Sequence, residues 1–117
     1  MFTSIQSGPE LKNKLTLGVL VAKTGVAEGH SVKLFLAADA VHALDCRAEG
    51  DIVGQGTGDA HLHLQALAAA NVQIMVSGMS AKARGYDDSL LAGYNASFAM
   101  PDTLIALALD ADTVLCY

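Results

Sequence analysis

The chain has 117 residues, of which 52 % are apolar, and its net charge is −5. This length suffices for one domain whose core needs no disulfide or metal. The seven basic residues are scattered among twelve acidic ones, so no basic stripe can neutralise phosphates, which excludes nucleic acid as a partner. The longest apolar stretch, residues 15–26, is shorter than the about 20 residues that span a bilayer. The N-terminus lacks the features of a signal peptide, and we expect a single cytoplasmic domain over residues 1–117.

The first third of the chain predicts a strand, a helix and a second strand. Residues 2–6 are a β-prone run, after which Ser7 and Glu10 have the spacing of a capping box. Apolar residues then recur at steps of three and four up to Gly29, which is placed to end the helix. Residues 30–37 contain a continuous apolar run, which is typical of a strand covered on both faces. Together these elements predict a βαβ unit.

The rest of the chain continues this alternation of strands and helices. After a helical turn at residues 40–44 we expect a glycine-rich, mobile connection up to Asp59. The elements predicted next are a helix from Asp59 or Ala60 to Ala70, a strand over 72–76, irregular chain from Gly85 to Pro101, a helix that begins at Pro101 and a strand over 113–117. The fold class is therefore α/β, with a mostly parallel sheet flanked by helices.

Three turns at the carboxyl ends of the predicted strands form the candidate site, because ligands of open parallel sheets bind at that edge. The turns are those after Gln6, Ala37 and Val76. In the third turn, Ser77 leaves a buried strand, Gly78 permits close backbone approach, and Arg84 follows within one short helix. A helix start and a guanidinium together favour a small anion near Ser77. The alternative is an ordinary serine N-cap, with Arg84 in a structural salt bridge.

Other motifs predict no metal, nucleotide or triad site. His61 and His63 point to different sides of a helix, and we expect no metal-binding partner for His30 or His42. The glycine-rich run 54–59 lacks the Gly-Lys-Ser/Thr ending of a phosphate-binding loop. We therefore expect neither a metal nor a cofactor.

Five short motifs, spread over nearly the whole chain, match a known pattern. They are Ser7-Gly8-Pro9 after the first strand, Gly29-His30 before the second, residues 35–41 with Asp39 at its end, Arg84-Gly85 after the third and residues 111–115 at the C-terminus. In these residues the chain resembles the DsrE/DsrF-like family, and its YchN-like members in particular. The resemblance implies a single three-layer, flavodoxin-like domain that assembles into homotrimers or hexamers, with sites near subunit interfaces.

In the sulfur-relay members of that family, a cysteine directly after the third strand carries a persulfide received from a donor protein. Ser77 occupies that position here, eight residues before the glycine of Arg84-Gly85, and Ser80 occupies the position of a second cysteine found in some relatives. A serine hydroxyl cannot hold a sulfane sulfur, so sulfurtransferase activity is not expected at Ser77. The resemblance makes Ser77 the catalytic position, and the binding candidates around it are Gly78, Ser80, Arg84, Gly85 and Asp39.

The two cysteines of the chain form no Cys-x-x-Cys motif and no cluster with histidine. Cys46 follows the second strand within reach of the Ser77 turn, and Arg47 beside it would favour the thiolate, so Cys46 is the second catalytic candidate. Cys116 lies in the last predicted strand, where we expect it to be packed.

Three functions remain open on the sequence. The chain is a DsrE/DsrF-like protein of sulfur relay or sulfur oxidation, a non-catalytic oligomer that binds a small ligand or anion in the same pocket, or a structural partner subunit of a relay. Each function implies a homo-oligomer or partner proteins of sulfur relay.

Overall fold

The computed structural model describes all 117 residues and contains a five-stranded sheet whose neighbouring strands are all parallel. Along the chain, a separate antiparallel hairpin lies between the second and third strands of this sheet. Along the chain the strands are β1 (Phe2–Ile5), β2 (Lys33–Leu36), the hairpin strands β3 (Val53–Gly54) and β4 (Gly58–Asp59), β5 (Gln73–Ser77), β6 (Ala96–Ala99) and β7 (Val114–Cys116). The sheet order is β6-β5-β2-β1-β7. The layers are those of a flavodoxin-like fold, although flavodoxin itself has the strand order 2-1-3-4-5.

Helices cover both faces of the sheet, which confirms the predicted α/β class. They are α1 (Lys12–Ala27), α2 (Ala60–Ala69), α3 (Gly78–Ala83) and α4 (Pro101–Asp110). Short 3-10 helices occupy Pro9–Leu11, Ala38–Leu44, Cys46–Ala48 and Asp88–Leu91. None of the helices is long and apolar enough to cross a membrane.

Two apolar cores lie on opposite faces of the sheet, because successive residues of a strand point to opposite sides. The larger core joins the sheet to α1 and α2, and its strand residues include Leu34, Leu36, Ile74 and Val76, all fully buried. The smaller core consists of Phe2, Phe35 and Met75, with partly buried residues of α4 packed against them. The continuous apolar runs of β2 and β5 thus reflect burial on both sides.

The start of the first helix differs from the prediction. The capping box of Ser7 and Glu10 does not form, because a 3-10 turn with Gly8 as its N-cap precedes α1. Neither this turn nor α1 has a side-chain cap. A Cβ on Gly8 would overlap the side chain and backbone of Asp39, so the close approach of the two loops defines this turn. Leu11 is the last residue of this turn and is 47 % exposed.

Two segments predicted to be irregular are ordered by tertiary contacts. Residues 96–99 form the edge strand β6 through parallel pairing with β5, although they contain no β-branched residue. The glycine-rich connection forms the hairpin β3–β4, whose backbone amide at Gln55 donates to the side chain of Asn13 in α1. The Thr16 and Thr57 hydroxyls also share a hydrogen bond, so this connection is tied to α1 and the expectation of a mobile segment was wrong.

Candidate functional site

The three turns predicted from the sequence meet at the carboxyl edge of the sheet. β1, β2 and β5 are adjacent and parallel, so the chain leaves all three at the same edge. Gly8 of the first turn packs against Asp39 of the second. The second turn is joined to the third, because the amide of Ala38 donates to Ser80 Oγ at 2.9 Å. We call residues 7–9, 37–39 and 77–80 the three-turn cluster.

Ser77 is the last residue of β5 and the N-cap of α3. Its side chain is 9 % exposed, and its Oγ accepts a hydrogen bond from the amide of Ser80 at 3.2 Å. No cavity of the single chain is lined by Ser77. A Cβ on Gly78 would make ordinary contacts with Phe98, so the close backbone approach expected at Gly78 occurs at Gly8 instead.

Arg84 connects the third turn to the second. Its Nε and Nη2 donate to Asp39 Oδ1 at 3.1 and 2.8 Å, and its Nη1 donates to the carbonyl oxygen of Ser80 at 3.1 Å. Gly85 then ends the short helix with a φ of +79°, in the left-handed region that favours glycine. Both features of the structural alternative, a serine N-cap and an Arg84 salt bridge, are therefore present. An anion near Ser77 would have to compete with Asp39 for the guanidinium.

The structure also contains a polar network that the sequence analysis missed. Tyr86 Oη donates to Asp45 Oδ2 at 2.9 Å and lies 2.6 Å from His42 Nδ1. Because the hydroxyl proton is directed at Asp45, His42 Nδ1 is the donor in the second bond. We expected no acidic or cysteine partner for His42, but Asp45, three residues away, belongs to the same network through Tyr86. Tyr86 itself is 44 residues from His42, so no spacing signal reveals it.

The charges of this network shift the pKa values of two of its members. Hydrogen bonds from the Arg47 side chain and amide hold the pKa of Asp45 well below its usual range. Burial raises the pKa of Tyr86 above its usual value, and the hydrogen bond to the Asp45 carboxylate adds to this effect. The network therefore favours a carboxylate at residue 45 beside a neutral phenol.

Cys46 is exposed and lies beside this network, away from Ser77. It lines a cavity of about 330 Å³ together with Tyr86, and a neighbouring cavity of about 370 Å³ together with His61. Neither cavity includes Ser77. Arg47, the residue expected to favour a thiolate at Cys46, instead donates from Nη2 to Asp45 at 2.8 Å. The structure does not bring the two catalytic candidates into one cavity.

Cys116 is also exposed, so the expectation that it is packed was wrong. It lies in β7 opposite Ser4 of β1, on the face of the sheet that α4 covers. β7 is an edge strand, and α4 leaves this part of the sheet open. Elsewhere in the chain, no group of three or more His, Cys, Asp or Glu residues is placed to hold a metal ion.

Comparison with known proteins places these residues in a family. The model of the DsrE/DsrF-like family matches residues 1–117. Among solved structures, the chain is similar to the YchN protein from E. coli, with a TM-score of 0.77 and 21 % sequence identity over 99 % of this chain and 97 % of that chain. At this identity the structural likeness concerns the fold. No curated protein matches the chain. Because the family model covers every residue, the chain belongs to the DsrE/DsrF-like family.

Proposed function

We propose that this chain is a DsrE/DsrF-like protein related to intracellular sulfur relay that carries no sulfur at Ser77, and that it acts as a non-catalytic subunit of an oligomer. The observation that carries the proposal is the position of Ser77, which ends β5 at the carboxyl edge of the sheet in a chain that belongs to this family throughout. The binding residues proposed around it are Gly78, Ser80, Arg84, Gly85 and Asp39.

The chemistry of sulfur transfer explains why the serine matters. An acceptor thiolate attacks the outer sulfur of the donor persulfide, a new S–S bond forms, and the donor leaves as a thiolate, with no net oxidation. The attacking group must ionise near neutral pH, which a thiol does and an alcohol does not. In this chain the Ser77 hydroxyl oxygen accepts a hydrogen bond from the amide of Ser80, which is the usual role of an N-cap residue. The turn after β5 therefore offers an N-cap hydroxyl and no sulfur nucleophile.

The hydrogen bonds of Arg84 favour the role of a structural partner subunit over the binding of a small anion. Its guanidinium is held by Asp39 through two hydrogen bonds and by the carbonyl of Ser80 through a third. A free anion would have to replace a carboxylate that is already in place. The subunit would then contribute surface to sulfur-relay partners or to other copies of the chain.

Intact-mass measurement after incubation with a cysteine desulfurase and L-cysteine tests the proposal. We expect no gain in the wild type, and in Ser77→Cys a gain of one sulfur atom that a reductant removes. Ser89→Cys is the control for the position of the new thiol, because it introduces an exposed thiol away from Ser77, in the 3-10 helix Asp88–Leu91.

Two results would contradict the proposal. A gain in the wild type that disappears in Cys46→Ser or Cys116→Ser would identify a relocated persulfide carrier. The absence of a gain in Ser77→Cys, with the variant folded, would mean that the turn is not a sulfur-accepting scaffold.

A further inference from the structure

The two cavities beside the Tyr86 network share one wall. Leu44, Cys46 and Ala92 line both the cavity of about 330 Å³ and the cavity of about 370 Å³. The two cavities therefore form one groove, and the shared residues lie at its middle. Each half is at the small end of the range for ligand sites, which is roughly 300–1,000 Å³. The groove thus suits a molecule made of two small halves that are joined at its centre.

A free thiol lies at the middle of this groove. Of the three shared residues, Leu44 and Ala92 are apolar, and Cys46 is an exposed cysteine without a disulfide partner. Cys116, the other cysteine of the chain, is exposed as well but lines no cavity. The fold therefore places one of two exposed thiols between two cavities, and the other serves as an internal comparison.

The first cavity offers a ligand one charged group of each sign. The Arg47 side chain is 80 % exposed, and Asp45 accepts only from its Nε and Nη2, so Nη1 is free to bind a carboxylate. Asp87 lines the same cavity, and its Oδ1 accepts from the hydroxyl and the amide of Ser89. These two hydrogen bonds lower the pKa of Asp87, and its Oδ2 is free to accept from an ammonium group. This end of the groove suits the amino and carboxylate groups of an amino acid.

The second cavity is lined by hydrogen-bonding side chains from two segments. From α2 come His61 and Gln65, and the Gln65 amide donates to His61 Nε2 at 3.1 Å, which leaves the Gln65 carbonyl oxygen free to accept. Tyr94 comes from the loop before β6. Burial raises the pKa of Tyr94, so its hydroxyl stays protonated and can donate. This end of the groove can therefore bind the amide or carboxylate groups of a second small half.

We propose that this groove binds a low-molecular-weight disulfide whose halves carry amino and carboxylate groups, with one half in each cavity, and that Cys46 exchanges with it. The Cys46 thiol gives its proton to solvent, and the thiolate attacks one sulfur of the bound disulfide. A new S–S bond forms between Cys46 and one half, the old S–S bond breaks, and the other half leaves as a thiolate. The Cys46 thiol is oxidised while the released half is reduced, so no other oxidant takes part. The site is separate from Ser77 and does not depend on the function proposed there.

The rate at which each cysteine takes up glutathione from glutathione disulfide, followed by intact mass, tests the proposal. Cys116→Ser keeps the thiol in the groove, and Cys46→Ser keeps the exposed thiol outside it as the control. We expect Cys116→Ser to gain one glutathionyl group roughly tenfold faster than Cys46→Ser, because binding holds the disulfide at the thiol. Its rate should also reach a maximum as the disulfide concentration rises, whereas the rate of Cys46→Ser should rise linearly. Hydroxyethyl disulfide, which has no charged groups, should give a linear rate with both variants.

A substitution in the first cavity tests how the charged groups are recognised. In the Cys116→Ser background, Arg47→Gln should raise the glutathione disulfide concentration that gives half the maximal rate by roughly fivefold, because one exposed charge contact is lost. Lys23→Gln is the matched control, since Lys23 is an exposed cation that lines no cavity, and should change nothing. Equal, linear rates for the two single-cysteine variants would overturn the proposal, and an unchanged half-maximal concentration in Arg47→Gln would overturn the role of Arg47. A glutathionyl group differs in mass from one sulfur atom, so the desulfurase experiment is judged separately.

Discussion

Removal of the Ser80 hydroxyl isolates one hydrogen bond within the three-turn cluster. Ser80→Ala deletes the acceptor for the amide of Ala38 but keeps the Ser80 amide, which donates to Ser77, and the Ser80 carbonyl, which accepts from Arg84. Ala38 has a φ of +50°, a left-handed conformation that costs roughly 1–2 kcal/mol for a residue with a Cβ. The Ser80 hydroxyl therefore stabilises a strained turn.

The size of the effect follows from the geometry. An unsatisfied, partly buried amide costs about 1–3 kcal/mol, and Ala38, whose amide loses its acceptor, is only half-buried, so the lower part of that range applies. Alanine is a better helix former than serine and recovers roughly half a kcal/mol at this position in α3. The net loss is about 1 kcal/mol, which for a chain of 117 residues lowers Tm by about 4 °C.

Urea unfolding followed by circular dichroism measures this loss, with all variants at one protein concentration because self-association changes the apparent stability. Ser31→Ala is the control, since Ser31 is exposed and its hydroxyl makes no hydrogen bond. Ala38→Gly should stabilise the protein slightly by relieving the positive φ. If Ser80→Ala lost no more stability than Ser31→Ala, the argument that Ser80 holds the Ala38 turn would be refuted.

Two further predictions concern the loops around this cluster. Gly8→Ala should lower the free energy of unfolding, measured in urea, by about 1–3 kcal/mol, because the new methyl group overlaps the backbone of Asp39. An unchanged midpoint of the urea transition would mean that the loops of Gly8 and Asp39 separate freely. Asp45→Asn should reduce stability at neutral pH by less than about 1 kcal/mol, because Arg47 is largely solvent-exposed. The Asp45 pKa is lowered in the folded chain, so this contribution is present above pH 3.8 and is lost as the pH falls further. Wild type and Asp45→Asn should therefore converge in acid, and a constant difference down to strongly acidic pH would contradict the assignment.

Much of the fold was predictable because its strongest signals are local. The apolar runs of β2 and β5, the helical periodicity before Gly29 and the aspartate that caps α2 each act over a few residues. The convergence of the three turns was also predictable, since parallel strands bring their carboxyl ends to one edge. The strand β6 was missed, because a four-residue edge strand without β-branched residues forms through its pairing with β5.

The candidate site was predicted in position but not in its contacts. Ser77 and Arg84 lie where the sequence placed them, yet the partner of Arg84 is Asp39, 45 residues away. The bonds of Tyr86 to His42 and Asp45 likewise join segments more than 40 residues apart. Hydrogen bonds of this kind depend on how the loops pack against each other, which no local pattern encodes.

The sequence by itself determined the α/β alternation and the family, because these depend on residue identity and short-range spacing. Only the tertiary structure decided that Arg84 is neutralised by Asp39, that Cys46 and Ser77 lie apart, and that Cys116 and the outer side of α4 are exposed. Burial and pairing are set by the whole chain at once. A residue in an apolar strand or helix is covered only where another element lies over it, and no element of this chain lies over Ile105, Leu109 or Cys116.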